Sequence, residues 1–215
     1  MKHATTQALY DYWNQLRGSK PAPERSAIEP GDIRTVLGDT FILEAAEDES
    51  YRFRLAGTRM CAAYCRELKG RDFLRLWAGK DREAMDTMLQ AITSDAAAAV
   101  LGVEGRTDRG QTVDMEILLL PLRMRDQGYT RILGSCTTMT KPYWIGIHPV
   151  VKQTISSLRL IWPDEQPFFL RKVNAGSEAH SIITAPSQRL AYRRVGHLTV
   201  YEGGKSQPEA RHTAE

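Results

Sequence analysis

Apolar residues near the start of the chain recur at Leu9, Tyr12, Trp13 and Leu16, the i, i+3, i+4, i+7 spacing that lays one stripe along a helix. The pattern predicts a helix over about residues 5–17, with Thr5 or Thr6 as N-cap and Gly18 as terminator. Pro21 and Pro23 then remove backbone donors and fix φ, so the segment from Ser19 is an extended connector. Ile28-Glu29-Pro30-Gly31-Asp32 predicts the opening of a second short helix carrying Ile33, Val36 and Leu37. From Thr40 the period changes to two: Thr40–Glu44 and Tyr51–Ala56 predict paired strands about the acidic turn Glu47-Asp48-Glu49-Ser50. Gly57-Thr58 starts a helix bearing Met60, Cys61, Tyr64 and Cys65, and Gly70 with Asp72 breaks the chain before Phe73, Leu74 and Trp77. Lys80–Ser94 returns to helical spacing, with Met85, Met88, Leu89 and Ile92 on one side.

Three strands follow, Ala97–Thr107, Thr112–Leu122 and Thr130–Met139, joined by the turn sequences Asp108-Arg109-Gly110 and Asp126-Gln127-Gly128. The order predicts an α+β fold: a five-stranded antiparallel sheet with helices on one face. Three regions result: a helical cap and connector over 1–38, a core domain over 39–142 and a C-terminal extension over 143–215. Within the extension, Val150, Val151, Ile155, Leu158 and Leu160 give Trp144 to Trp162 a helix-like spacing. Arg189 to Arg194 followed by Val195–Tyr201 predicts a hairpin or clasp, and the polar chain from Gly203 onward is expected to be disordered.

Composition narrows the class without naming a chemistry. A 42% hydrophobic and 26% charged composition is that of a soluble globular protein, and 215 residues allow one ordinary domain with flanks. The net charge of +3 is a mild basic bias with Lys and Arg scattered among acids, so nucleic acid is an unlikely partner. The N-terminus has no signal-peptide core, and the apolar run Ile117–Leu122 is far too short to span a bilayer; the expected location is cytoplasmic, with no membrane partner. Three cysteines, Cys61, Cys65 and Cys136, fit a reducing compartment better than a disulfide framework.

The segment Leu9-Tyr10-Asp11-Tyr12-Trp13-Asn14-Gln15-Leu16-Arg17-Gly18, with Pro21, Pro23 and Ile33-Arg34, resembles the opening of the stand-alone Per-Arnt-Sim (PAS) proteins of alphaproteobacteria. Phe53-Arg54-Leu55-Ala56-Gly57-Thr58-Arg59, Glu67-Leu68-Lys69-Gly70-Arg71 and Leu76-Trp77 are similar as well, and so is Gly196 to Gly204 near the end. The resemblance implies a sheet whose concave face encloses a pocket with the middle helices, and an N-terminal helix that packs outside and often mediates dimers. It also implies a regulator without an attached output domain. The light-oxygen-voltage (LOV) branch resembles the chain near Gly70-Arg71, where those photoreceptors continue with Asn and a reactive Cys; Asp72 and Phe73 stand there instead. Cys65 lies too early to replace that thiol, so the flavin photocycle lacks its nucleophile. Haem-binding relatives commonly offer a histidine from the long helix, and residues 80–95 contain none. The cofactor is therefore unknown.

On this reading Met60, Tyr64, Phe73, Trp77, Met85, Met88 and Leu89 face Met115 and Ile117, either lining a ligand cavity or filling it as core. Arg59, Asp114 and Glu116 are candidates to face a polar group inside. Cys61 and Cys65, one helical turn apart, are expected to be buried and apolar rather than metal-binding. The stripe of Leu9, Tyr12, Trp13 and Leu16 either covers its own sheet or forms a homodimer interface. The leading function is a cytoplasmic signalling regulator that contacts a histidine kinase, a phosphotransferase or a similar protein, with affinity biased by a small ligand. A competing enzyme reading needs a nucleophile and base that converge, and no such order of residues stands in the sequence. A third, nucleic-acid binding through Arg189, Arg193 and Arg194, predicts salt-sensitive duplex binding.

Overall fold

The computed structural model describes residues 1–163 and the two strands at 192–195 and 198–201. The chain divides into two units, Met1–Lys172 and Val173–Glu215. Among the described residues of the first stand three α-helices, α1 (Ala4–Arg17), α2 (Thr58–Ala63) and α3 (Gly79–Asp95), together with six strands. These are β1 (Thr40–Ala45), β2 (Tyr51–Ala56), β3 (Ala98–Thr107), β4 (Thr112–Met124), β5 (Gly128–Thr138) and β6 (Val150–Ile161). They form one antiparallel sheet in the order β2-β1-β5-β4-β3-β6. Of the second unit, the described part is a hairpin of β7 (Tyr192–Val195) and β8 (Leu198–Tyr201), where the sequence predicts one. Gly196, His197, Arg189 and the tail from Gly203 lie outside the described residues.

The α+β class holds with one strand more than the five expected. Residues 150–161 are not a helix but the edge strand β6, paired with β3 along its length. Their alternation is masked by a register shift: Gly102 faces Ser157 while Val103 faces Ile155, so Ser156 is an extra residue. Ile155 therefore lies opposite Val103, and Ile161 joins Ala98 in the cluster on the other face. Gly102 permits the bulge, because a Cβ there would meet the Ser157 Oγ at 2.6 Å. The sheet consequently continues past residue 142, the boundary expected for the core domain.

Both faces of the sheet are covered. Leu118, Leu120 and Leu122 of β4 pack with Leu9, Tyr10 and Trp13 of α1, along with Ile28, Ile33 and Val36 of the connector. The Trp13 indole N–H donates to the Pro121 carbonyl at 2.8 Å, tying α1 to the middle of the sheet. The helix starts at Ala4, with His3 rather than Thr5 or Thr6 as N-cap: its Nδ1 accepts from the Thr5 N–H. Gly18 terminates it as expected, at φ 56°. Glu116, buried on this outer face, accepts the Lys2 and His3 backbone N–H groups at 2.7 and 3.0 Å. Instead of a second helix, 29–36 forms successive turns that run into a 3-10 turn at Leu37–Asp39.

Alternate residues of β4, namely Met115, Ile117 and Leu119, point to the opposite face, which α2, the 3-10 turn Phe73–Leu76 and α3 cover. Phe41, Phe53, Phe73 and Trp77 form an aromatic cluster there, with ring centroids 5.7 to 6.1 Å apart. Gly134 lets the Phe41 ring cross β5: a Cβ at that position would meet Phe41 Cζ at 2.2 Å.

Candidate functional site

The helix-side layer gathers all nine residues expected to line a cavity. Met60, Tyr64, Phe73, Trp77, Met85, Met88, Leu89, Met115 and Ile117 are each at most 4% exposed, on or against the inner face of the sheet. Local sequence explains the arrangement. Gly57 begins α2 where a Cβ would strike the Leu37 and Gly38 carbonyls at 2.4 and 2.3 Å, so α2 sits close against the turn before β1. Asp72 caps the next turn: its Oδ1 accepts the Leu74 N–H at 3.1 Å and the Tyr51 N–H at 3.2 Å, joining this turn to the start of β2.

Polar chemistry enters this apolar layer at one end. The Tyr64 hydroxyl donates to Gln153 Oε1 at 2.7 Å, and Gln153 Nε2 donates to the Leu76 carbonyl at 3.0 Å. Burial pushes the Tyr64 phenol well above its usual range and raises the adjacent Cys136 thiol to about 12, so both stay protonated at neutral pH. The indole N–H of Trp77, next in sequence to Leu76, is buried without a hydrogen-bond partner among the described residues. Gln153 is a member of this group that the sequence reading missed, since a helical Trp144–Trp162 gives no reason for it to point inward. Its signal was an amide at the alternate position between Val151 and Ile155.

The expected polar partners lie elsewhere. Arg59 clamps Asp39 from the surface, Nε to Oδ1 at 2.8 Å and Nη2 to Oδ2 at 2.6 Å, and does not face the interior. Glu116 holds the N-terminus on the outer face, and Asp114, on the same side by alternation, is exposed. Nor are Cys61 and Cys65 both buried: Cys65 is exposed at φ 48° and Cys61 is half-buried, while Cys136 is the buried thiol. Among the described residues no group of three or more His, Cys, Asp or Glu side chains is placed to hold a metal ion.

The interface stripe divides. Leu9 and Trp13 are buried against the chain's own sheet and Tyr10 joins them, whereas Tyr12 is half-buried and Leu16 is 37% exposed. The Tyr12 hydroxyl accepts from the Glu29 N–H at 2.8 Å, which holds the connector to α1. Two cavities open at the margin of the inner layer. One of about 520 Å³ is lined by Asp48, Ser50, Arg52, Arg66, Gly70, Arg71, Asp72, Arg75 and Leu76. The other, of about 470 Å³, is lined by Tyr64, Cys65, Arg66, Arg75, Pro149, Val150 and Val151, so Tyr64 is the residue of the expected set that reaches a cavity wall. No helix among the described residues is long and apolar enough to cross a membrane.

Several solved structures align with part of this chain. The LOV protein of Rhodobacter sphaeroides aligns at 11% identity and TM-score 0.39, over 48% of this chain and 60% of that one. The blue-light photoreceptor Aureochrome1 LOV aligns at 16% identity and TM-score 0.40, over 52% and 82%. The PAS domain of an HTR-like protein from Haloarcula marismortui aligns at 16% identity and TM-score 0.37, over 51% and 90%. No curated protein matches the sequence. The PAS-domain profile matches residues 1–137, more than half of the 215-residue chain, and this chain belongs to the PAS-domain family.

Proposed function

We propose that this protein is a regulatory PAS protein of the stand-alone alphaproteobacterial kind, acting in the cytoplasm through protein contacts and biased by a small ligand at the inner layer. Family membership supports the signalling role. The observation that carries ligand control is the polar end of the layer, where Gln153 links the Tyr64 hydroxyl to the Leu76 carbonyl, together with a Trp77 N–H in the same layer that has no partner among the described residues. An apolar cup with a few convergent polar groups is the usual chemistry of a small-molecule site. Met60, Phe73, Met85, Met88, Leu89, Met115 and Ile117 would supply its apolar walls, by giving way to the ligand. Gln153 belongs to β6, so a ligand that displaced the Tyr64 hydroxyl would act directly on the edge strand that the C-terminal extension adds to the sheet.

Output runs through contacts with a second copy of the chain and with a histidine kinase, a phosphotransferase or a protein of similar role, not through catalysis. Native mass spectrometry of freshly purified protein tests the reading. A dimer carrying a stoichiometric small molecule, lost in a folded Trp77→Phe variant, is the expected result. A ligand-free protein whose folding midpoint no metabolite extract raises would sink the ligand step.

A further inference from the structure

The two cavities beside the inner layer share a wall, and their linings differ in a way that describes a ligand. In the first, Arg52, Arg66, Arg71 and Arg75 stand against Asp48 and Asp72. Both acids are already engaged: Asp48 is bound by Arg52 and Ser50, and Asp72 accepts the Tyr51 and Leu74 N–H groups. Arg66, Arg71 and Arg75 are exposed and have no carboxylate partner among the described residues. Their backbone is held in place. The Gly70 N–H donates to the Phe53 carbonyl at 2.7 Å, and the Phe53 N–H donates to the Arg71 carbonyl at 2.9 Å. The Arg75 N–H donates to the Asp72 carbonyl at 3.2 Å.

Arg66 and Arg75 also line the second cavity, whose remaining wall includes Tyr64, Pro149, Val150 and Val151. A ligand matched to both has a head with adjacent negative groups and an apolar or aromatic body. Several guanidinium groups converging from different turns suit phosphate, whose oxygens accept paired N–H donors. We infer that this double groove binds a small organic diphosphate, with its phosphates on Arg66, Arg71 and Arg75 and its body against Tyr64 and the start of β6. The groove shares Tyr64 with the buried layer, but its arginines lie outside that layer, so pyrophosphate binding holds or fails independently of a ligand there.

Calorimetric titration of the full chain with ADP, inorganic pyrophosphate, adenosine and citrate tests the inference. ADP is expected to saturate one site, more weakly as salt is raised, with pyrophosphate at least about tenfold weaker and adenosine silent. Replacing Arg66→Gln and Arg75→Gln together, at exposed positions that leave the unfolding midpoint unchanged, is expected to lower ADP affinity by about a hundredfold. Val151→Ser, which removes apolar surface without adding charge, is expected to weaken ADP and leave pyrophosphate unaffected. Absence of ADP and pyrophosphate binding, or binding undiminished in the double variant, would overturn the site. Citrate binding as tightly as pyrophosphate would overturn the assignment to phosphate.

Discussion

At the scale of single residues, the inner layer is defined by groups whose ionisation burial suppresses. Cys136 has its thiol raised from the usual 9.0 to about 12, first because it is desolvated. A raised value means that the folded chain keeps a proton the unfolded chain gives up, so the contribution is fully present below pH 9 and is lost as pH rises toward 12. Urea midpoints followed from pH 8 to 11 should therefore fall, and Cys136→Ala should flatten the decline. An equal slope in the variant would show that the thiol is not the group responsible. Tyr64, also raised by burial, adds to the loss only above its usual 10.0. Such environments are invisible in a linear chain: Cys61, Cys65 and Cys136 are one residue type, and only packing makes the third inert and leaves the second exposed.

Among elements, α1 shows how a correct periodicity leaves its partner open. The stripe specifies a helix with an apolar side, yet the same side serves equally well against its own sheet or against another molecule. Here Leu9 and Trp13 belong to the chain's own core, and Leu16 remains outside. Trp13→Ala should cost about 4 kcal/mol in a denaturant titration, for lost burial and the broken bond to Pro121. Leu16→Glu should leave that midpoint within about 0.5 kcal/mol. If the homodimer uses this helix, sedimentation should show Leu16→Glu as a folded monomer; an unchanged dimer would move the interface elsewhere.

For the whole molecule, the sheet is completed by a strand from beyond the segment matched by the family profile. The match ends at residue 137, and β6 begins at Val150 and pairs with β3. Ending the chain at residue 149 would strip that edge and remove Gln153, Ile155 and Ile161 from both faces. An exposed hydrophobic edge promotes association, so this truncation should aggregate on purification. Residues 1–172 should instead fold with the unfolding midpoint of the full chain, as a compact unit would. A soluble, equally stable 1–149 fragment would show β6 to be an accessory.

The amino-acid order by itself determined the helices α1 and α3, the hairpin β1–β2 and the meander β3–β5, because their periodicities and turn residues are local properties. It also determined the PAS family through short motifs between Leu9 and Trp77. Tertiary structure alone decided the sixth strand, since a bulge at Ser156 shifts the alternation and an edge strand needs only part of each face buried. Tertiary structure likewise turned Glu116 outward to hold the N-terminus and Arg59 toward Asp39. It brought Gln153 to Tyr64 across 89 residues of chain. Each of these depends on which distant group meets a side chain, and no local pattern encodes that.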